Sequence, residues 1–214
     1  MAIGEGQSER FAAVLGRYVP DCVVEVAVAM VMEEGVHLKI VKSRLTKLGD
    51  YRPPGKGRPW HSITVNGDLN RYAFLVVFLH EFAHLRAWKL YGRRVKPHGE
   101  EWQRLFCDEV GRFLGKGVFP QDVEGALARY MSSVPLSRKL ERELDACLRN
   151  YDCVGGESVT VLDDLSAGDV FRLKGREEMV FVAEEKRRTR WRCRELVSGK
   201  VYLVNGASVV EMVN

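Results

Sequence analysis

Apolar residues recur at helical spacing from residue 7 to 18, where Phe11, Val14, Leu15 and Tyr18 fall on one face. Pro20 ends that segment. Asp21 is placed to cap a second helix that runs to about Glu34 and is closed by Gly35. The pattern then shifts to partial alternation with β-branched residues, which predicts a strand over about Val36 to Val41. Residues 49 to 59 are rich in Pro, Gly and basic side chains and read as a loop. WHSITV, Trp60 to Val65, predicts a short strand stopped by the Asn66-Gly67 turn. Asp68 or Asn70 can cap the next helix, about Arg71 to Tyr91. Its FLVVFL run is apolar nearly all round, so this helix is expected to be buried, with Gly92 as its C-cap. After the basic stretch RRVKP and His98, an amphipathic helix is expected to reach about Leu114, where Gly115 and Gly117 stop it.

Another helix is expected from Pro135 to Asn150, with Pro135 near its first turn. Beyond Gly155-Gly156 the period changes to two. Short runs follow, SVTVL, DVFRL, MVFVAE, RWRCREL, KVYLVN and SVVEMV, separated by Gly-containing turns. The fold class expected is α+β. A helix-rich domain over residues 1–150 precedes a small all-β domain over 151–214, curled into a barrel-like sheet.

With 214 residues, 46% of them apolar, the chain has room for one substantial domain and one small one. MAIGEGQSER lacks the basic start and apolar core of a signal peptide. The longest apolar stretch, Cys22 to Met32, contains Glu25 and is too short to cross a bilayer, so a cytoplasmic protein with no membrane partner is expected. Five cysteines, none in a CxxC pair, argue against a disulfide framework or a cysteine-built zinc ribbon and for buried, reduced thiols. The net charge of +4 matters less than its clustering. Lys42, Arg44, Lys47 and Arg52 form one basic group, and Arg188, Arg190, Arg192 and Arg194 alternate in another. On a strand the second group shares one face, and such a row can follow a phosphate backbone. Trp191 then points to the opposite face, into the small domain's core, and Glu184, Glu185 and Glu195 dilute the charge.

His80-Glu81-Phe82-Ala83-His84 carries the chemistry. On a helix, residues i and i+4 lie on one face, so both imidazoles can reach one ion. Glu81, one residue beyond the first ligand, can take a proton from water without occupying a coordination position. Two histidines and a glutamate are costly to bury in an apolar helix unless they have such a role. A catalytic zinc needs a third protein ligand and an open position. Leu90 stands where one further class of such sites would need histidine. Glu100, Glu101 and Glu109 are formal candidates, but His98 is better placed, after a turn permitted by Gly92 and Pro97 and at the mouth of the next helix. Lesser candidates are His61, at the start of a strand expected to border the cleft, and Tyr91 or Tyr130 as oxyanion donors.

The stretch ITVNGDLNRYAFLVVFLHEFAHLRAWKLYGRRVKPHGEEWQRLF resembles the SprT-like zinc metalloproteases, relatives of the Spartan DNA–protein-crosslink proteases. In that family a strand precedes the HExxH helix, and a His-Gly with a following aromatic opens the next one. Here these are Ile63 to Val65, His80 to His84, and His98, Gly99 and Trp102. The resemblance implies a minimal zincin-like core, Zn2+ held by His80, His84 and His98, and Glu81 as catalytic base. It implies a metallopeptidase acting on protein or peptide substrates, DNA-associated proteins among them. It also suggests that the strand at Ile63 to Val65 borders the cleft and pairs with an extended peptide. The cysteine-paired zinc ribbon of many SprT-like proteins has no counterpart here. Nucleic acid is a candidate partner through Lys42, Arg44, Lys47, Arg52, Arg188, Arg190 and Arg192. The competing reading is a non-enzymatic nucleic-acid-binding or regulatory protein with a structural zinc, closed by a fourth ligand such as Cys107.

Overall fold

The computed structural model describes residues 5–44, 46–133, 135–152, 160–174, 176–187, 190–206 and 208–213. Two compact units emerge, one of residues 1–41 with 49–151 and one of 42–48 with 152–214. The larger is built from helices α1 (Glu5–Leu15), α2 (Val24–Glu33), α3 (Arg71–Tyr91), α4 (Glu100–Gly111), α5 (Gln121–Ser132) and α6 (Arg138–Arg149). Its sheet has three strands, β1 (His37–Val41), β2 (Gly49–Arg52) and β3 (Ser62–Asn66). Their order is β1-β3-β2, with β1 parallel and β2 antiparallel to β3.

α3 is the hub because most of its apolar residues are buried. Phe74, Leu75, Phe78, Leu79, Phe82, Ala83 and Leu85 are all at most 2% exposed. The helix starts where Asn70 accepts hydrogen bonds from the backbone N–H groups of Tyr72 and Ala73, both at 3.0 Å. The Asn70 amide also donates to the Leu148 carbonyl at 2.9 Å, tying the start of α3 to the end of α6. Gly92 ends α3 with φ of 68°, a conformation glycine adopts without a Cβ clash.

The sequence-based expectations need four corrections here. Gly49–Arg52 is a strand, not loop: its pairing with β3, Gly49 opposite Val65 and Tyr51 opposite Ile63, supplies order that the local pattern lacks. Helix α5 lies in a stretch left without an element, although Val123, Ala126, Leu127 and Tyr130 are buried at helical spacing. Asp21 opens a 3-10 turn rather than capping α2, and its carboxylate meets Arg71 at 3.4 Å. Of the described cysteines only Cys193 is buried, whereas Cys22 is exposed; Cys153 lies outside the described residues.

The smaller unit holds strands β4 (Val170–Leu173), β5 (Arg176–Lys186), β6 (Arg190–Glu195), β7 (Val201–Asn205) and β8 (Val210–Met212). They form one antiparallel sheet in the order β7-β6-β5-β4-β8. The expected run from Ser158 falls largely outside the described residues; Leu162–Asp164 is a 3-10 turn. Among the described residues no pairing joins β7 to β8, so the expected barrel-like closure is not among the pairings seen. Trp191 is 5% exposed and sits in a core with Phe171, Phe181 and Val204. Its indole N–H donates to Asp163 at 2.8 Å. Among the described residues no helix is long and apolar enough to cross a membrane.

Candidate metal centre and its cleft

His80 and His84 lie one turn apart on α3, where the helix repeat aims both rings the same way. His98 comes back to them through a 3-10 turn, Gly92–Arg94, and a tight turn in which the Gly99 N–H donates to the Lys96 carbonyl at 2.9 Å. His98 itself has φ of 59°, the left-handed region in which non-glycine residues are uncommon. The Gln103 amide donates to the His98 carbonyl at 3.0 Å and holds that conformation in place. The outcome is a cluster in which Nε2 of His98 lies 3.1 Å from Nε2 of His80 and 3.1 Å from Nε2 of His84. A tetrahedral zinc with Zn–N bonds near 2.0–2.1 Å separates its ligand nitrogens by about 3.3 Å, so both separations from His98 are close to an edge of such a site.

The rings are held in the protonation state a metal ligand needs. Burial, then the neighbouring His84 and His98, pulls the His80 pKa down to about 3. Burial followed by His98 lowers His84 to about 4. His98 is lowered as well, chiefly by burial, against an opposing pull from Glu141. All three are therefore neutral imidazoles at physiological pH. Beneath them lies Trp102, 2% exposed, with ring centroids 4.6 Å from His80, 5.1 Å from His84 and 4.6 Å from His98. Phe106 stacks behind Trp102 at 5.2 Å and 7°, so the support is two aromatic layers deep.

These three histidines are the potential metal-holding cluster among the described residues. Two of the three carboxylate alternatives are paired with arginines. Glu109 is bound to Arg112 at 2.9 Å, and Glu100 meets Arg104 at 3.6 Å. The Cys107 thiol is directed to the Met131 carbonyl at 3.9 Å rather than to the histidines.

A cleft of about 400 Å³ opens beside the cluster, a volume within the range of small-ligand sites. Glu81 lines it and is 8% exposed. Its opposite wall is β2, not β3: β3 is paired on both sides, and β2 occupies the sheet edge. The peptide-pairing strand inferred from the resemblance is thus displaced by one strand. Gly49 makes this wall possible. A Cβ there would lie 2.6 Å from Glu81 Oε1 and 2.7 Å from Val77 Cγ1. Gly49→Ala is accordingly expected to push β2 off α3, destabilising the protein by about 1–3 kcal/mol as overpacking does. Activity should fall with it; unchanged melting and an unchanged metal site would contradict this fit.

Neither tyrosine suggested by the sequence reaches the cleft. Tyr91 ends α3 and is 49% exposed, and Tyr130 is buried against Phe106. Tyr51 lines the cleft instead, with Trp88. Sequence reading passed over it because it lies in the segment taken for loop. Had Gly49-Asp50-Tyr51-Arg52 been read as a strand, Tyr51 and Gly49 would have fallen on one face. His61, the other minor candidate, is bonded to Tyr51 behind the cleft, Nδ1 to hydroxyl 2.8 Å.

Several of the basic residues have partners of their own. Arg52 is bound to Asp50 at 2.6 Å, and Arg44 donates to the Leu48 carbonyl at 3.4 Å. Glu184 of β5 takes both Arg192 at 3.0 Å and Arg194 at 2.6 Å from β6, where Arg190 is exposed. Arg188 lies outside the described residues.

Fold and centre together define a mixed α+β protein with a three-histidine, one-glutamate site in an open cleft. Residues 31–118 match the SprT-like family model, and this stretch of the chain is a SprT-like domain. Short segments are similar to curated relatives. One is Protein SprT of Pseudomonas fluorescens (strain SBW25), 67% identical over 26 residues, 12% of this chain and 16% of the relative. Another is Protein SprT of Pseudomonas paraeruginosa (strain DSM 24068 / PA7), 57% identical over 37 residues, 17% of this chain and 22% of the relative. The matched stretches thus span less than a quarter of those proteins. No solved structure matches significantly.

Proposed function

We propose that this chain is a zinc-dependent metallopeptidase that binds an extended peptide along β2 and hydrolyses one of its peptide bonds. The observation that carries this reading is the convergence of three imidazole nitrogens, 3.1 Å apart in two pairs, in a cleft that also holds the Glu81 carboxylate. His80, His84 and His98 would hold the ion. When bound, the ion supplies Lewis acidity toward the scissile carbonyl and acidifies water. Glu81 accepts a proton from the attacking water as the new C–O bond forms. It delivers that proton to the nitrogen as the C–N bond breaks, leaving a carboxylate and an amine. The edge position of β2 leaves room for main-chain pairing with substrate, which positions the scissile bond without reading its sequence.

The structural-zinc alternative is disfavoured by the orientation of Cys107, which was its suggested fourth ligand. A nucleic-acid partner through Lys42, Arg44, Lys47, Arg52, Arg188, Arg190 and Arg192 belongs to the proposal. At Arg52 and Arg192 a phosphate would have to displace Asp50 and Glu184. The zinc content of the wild type and of His98→Ala, purified without added metal, tests the centre. One zinc per chain in the wild type and a sharply weakened site in the variant are expected; equal zinc in both would remove His98 from the ligand set. Digestion of casein by the same samples, with and without single-stranded DNA, tests hydrolysis and the nucleic-acid contribution together.

A further inference from the structure

Among the residues that line the cleft, Tyr51 carries the hydroxyl group. Gly49 and Tyr51 lie two residues apart on β2, so they share the face that meets α3. Gly49 fixes where that face stands, because its Cα is packed against Glu81. Tyr51 follows Gly49 by one strand repeat, roughly 7 Å along β2. Tyr51 and Glu81 both line the cleft, so a peptide held there meets a phenol as well as a carboxylate. The register explains its partner. Tyr51 stands opposite Ile63, so His61, two residues earlier on the same face, is its diagonal cross-strand neighbour. The two rings stack at 5.9 Å and 15°, and Trp88 closes the far side of His61 edge-on at 4.9 Å.

We propose that Tyr51 donates its phenolic O–H to the substrate carbonyl oxygen as negative charge gathers there. His61 is a positioning residue that holds the phenol oxygen by donating from Nδ1–H. The inference rests on the peptidase reading above and adds to it the group that meets the developing oxyanion. It requires one tautomer of His61. If Nδ1 carries the proton, the phenol oxygen is the acceptor at 2.8 Å and its own O–H is left to point into the cleft. If Nδ1 is bare, the phenol must donate to it, and nothing remains for substrate.

The electrostatic setting agrees. Burial raises the Tyr51 pKa, with Arg58 opposing, so the phenol keeps its proton at any working pH. Burial and then Lys89 lower the His61 pKa, with Glu34 opposing, so the ring is neutral and its tautomer is a real choice. Lys89 is itself fixed to Glu34 at 2.6 Å. A preorganised donor of this kind acts in the transition state and adds little to ground-state binding.

Zinc-loaded wild type, Tyr51→Phe, His61→Asn and His61→Leu would be compared on fluorescent casein, with zinc content and far-UV circular dichroism as controls. Tyr51→Phe is expected to lower kcat about a hundredfold, the usual loss for one oxyanion donor, with KM and zinc within about twofold. His61→Leu should lose about tenfold in kcat and have no further effect in the Tyr51→Phe background, because the two act as a unit. His61→Asn, whose amide can stand in for Nδ1–H, should recover most of that loss. A Tyr51→Phe enzyme within about threefold of wild type, from a wild type that cleaves casein, would overturn the assignment and leave the peptidase reading intact. Nitrogen-15 NMR of His61 decides the point separately: a proton on Nε2 with Nδ1 bare overturns it whether or not casein is cut. A zinc-loaded wild type that cuts nothing counts against the peptidase reading, and with it the role given to Tyr51.

Discussion

Glu81→Gln is expected to slow peptide hydrolysis about a thousandfold while one zinc per chain stays bound, a loss within the usual range for general acid–base groups. At roughly 1.4 kcal/mol per factor of ten, that corresponds to about 4 kcal/mol of transition-state stabilisation. The separation of the two readouts follows from where Glu81 sits. It lies next to His80 on α3 but stands apart from the three-nitrogen cluster, so an isosteric amide leaves the imidazole cage unaltered. Glutamine also keeps the volume that packs against Gly49, so β2 is not released. What the amide cannot do is accept a proton from water. Elemental analysis and casein digestion on the same preparation make the comparison. Retained hydrolysis by a zinc-loaded Glu81→Gln sample would remove Glu81 from the proposed mechanism. Zinc lost along with activity would instead assign it to the metal's support.

The parts of this site that were legible in the sequence are those set by local chemistry. An apolar run, an Asn70 cap and a Gly92 stop specify α3 almost to the residue, and the i, i+4 spacing then puts His80 and His84 side by side. Trp191 was legible for the same reason, since alternation on a strand separates it from the arginines. The illegible parts are set by partners far along the chain. Gly49–Arg52 has a glycine, two charges and a following Pro-Pro, and only β3 makes it a strand. Because β2 was hidden, so were the identity of the cleft wall and the place of Tyr51. The left-handed backbone of His98 is likewise absent from its residue type, although the turn around it was foreseen. Helix α5 differs from these cases. Its signals, Pro120 before it, Asp122 and Glu124 in its first turn and a clean apolar stripe, were present in the sequence and passed over.

Trp102→Ala is expected to cost the larger unit about 3–5 kcal/mol and to weaken zinc binding about 10–100-fold, even though Trp102 is not placed among the metal ligands. Two independent roles converge on this ring. As a core residue it is 2% exposed and stacked on Phe106, so truncation opens a cavity that rigid α3 and α4 cannot readily fill. As a floor it touches all three imidazoles, so without it the rings regain rotational freedom that zinc must then remove. Trp102→Phe separates the roles of aromatic bulk and indole polarity. The indole Nε1 is buried with no hydrogen-bond partner among the described residues, and deleting such a donor removes a desolvation cost. Phenylalanine keeps most of the stack and gives up only part of the indole's volume, so its cost is expected to stay within about 1.5 kcal/mol, well below that of alanine, with zinc affinity nearly unchanged. All the α-helices among the described residues belong to the larger unit, so helical circular dichroism during urea unfolding of the metal-free protein follows that unit. Competition with a chelator then gives zinc affinity on the same proteins. A Trp102→Phe variant as damaged as Trp102→Ala would mean that the indole N–H is engaged after all, and that the floor works through a hydrogen bond rather than through the flat face of the ring.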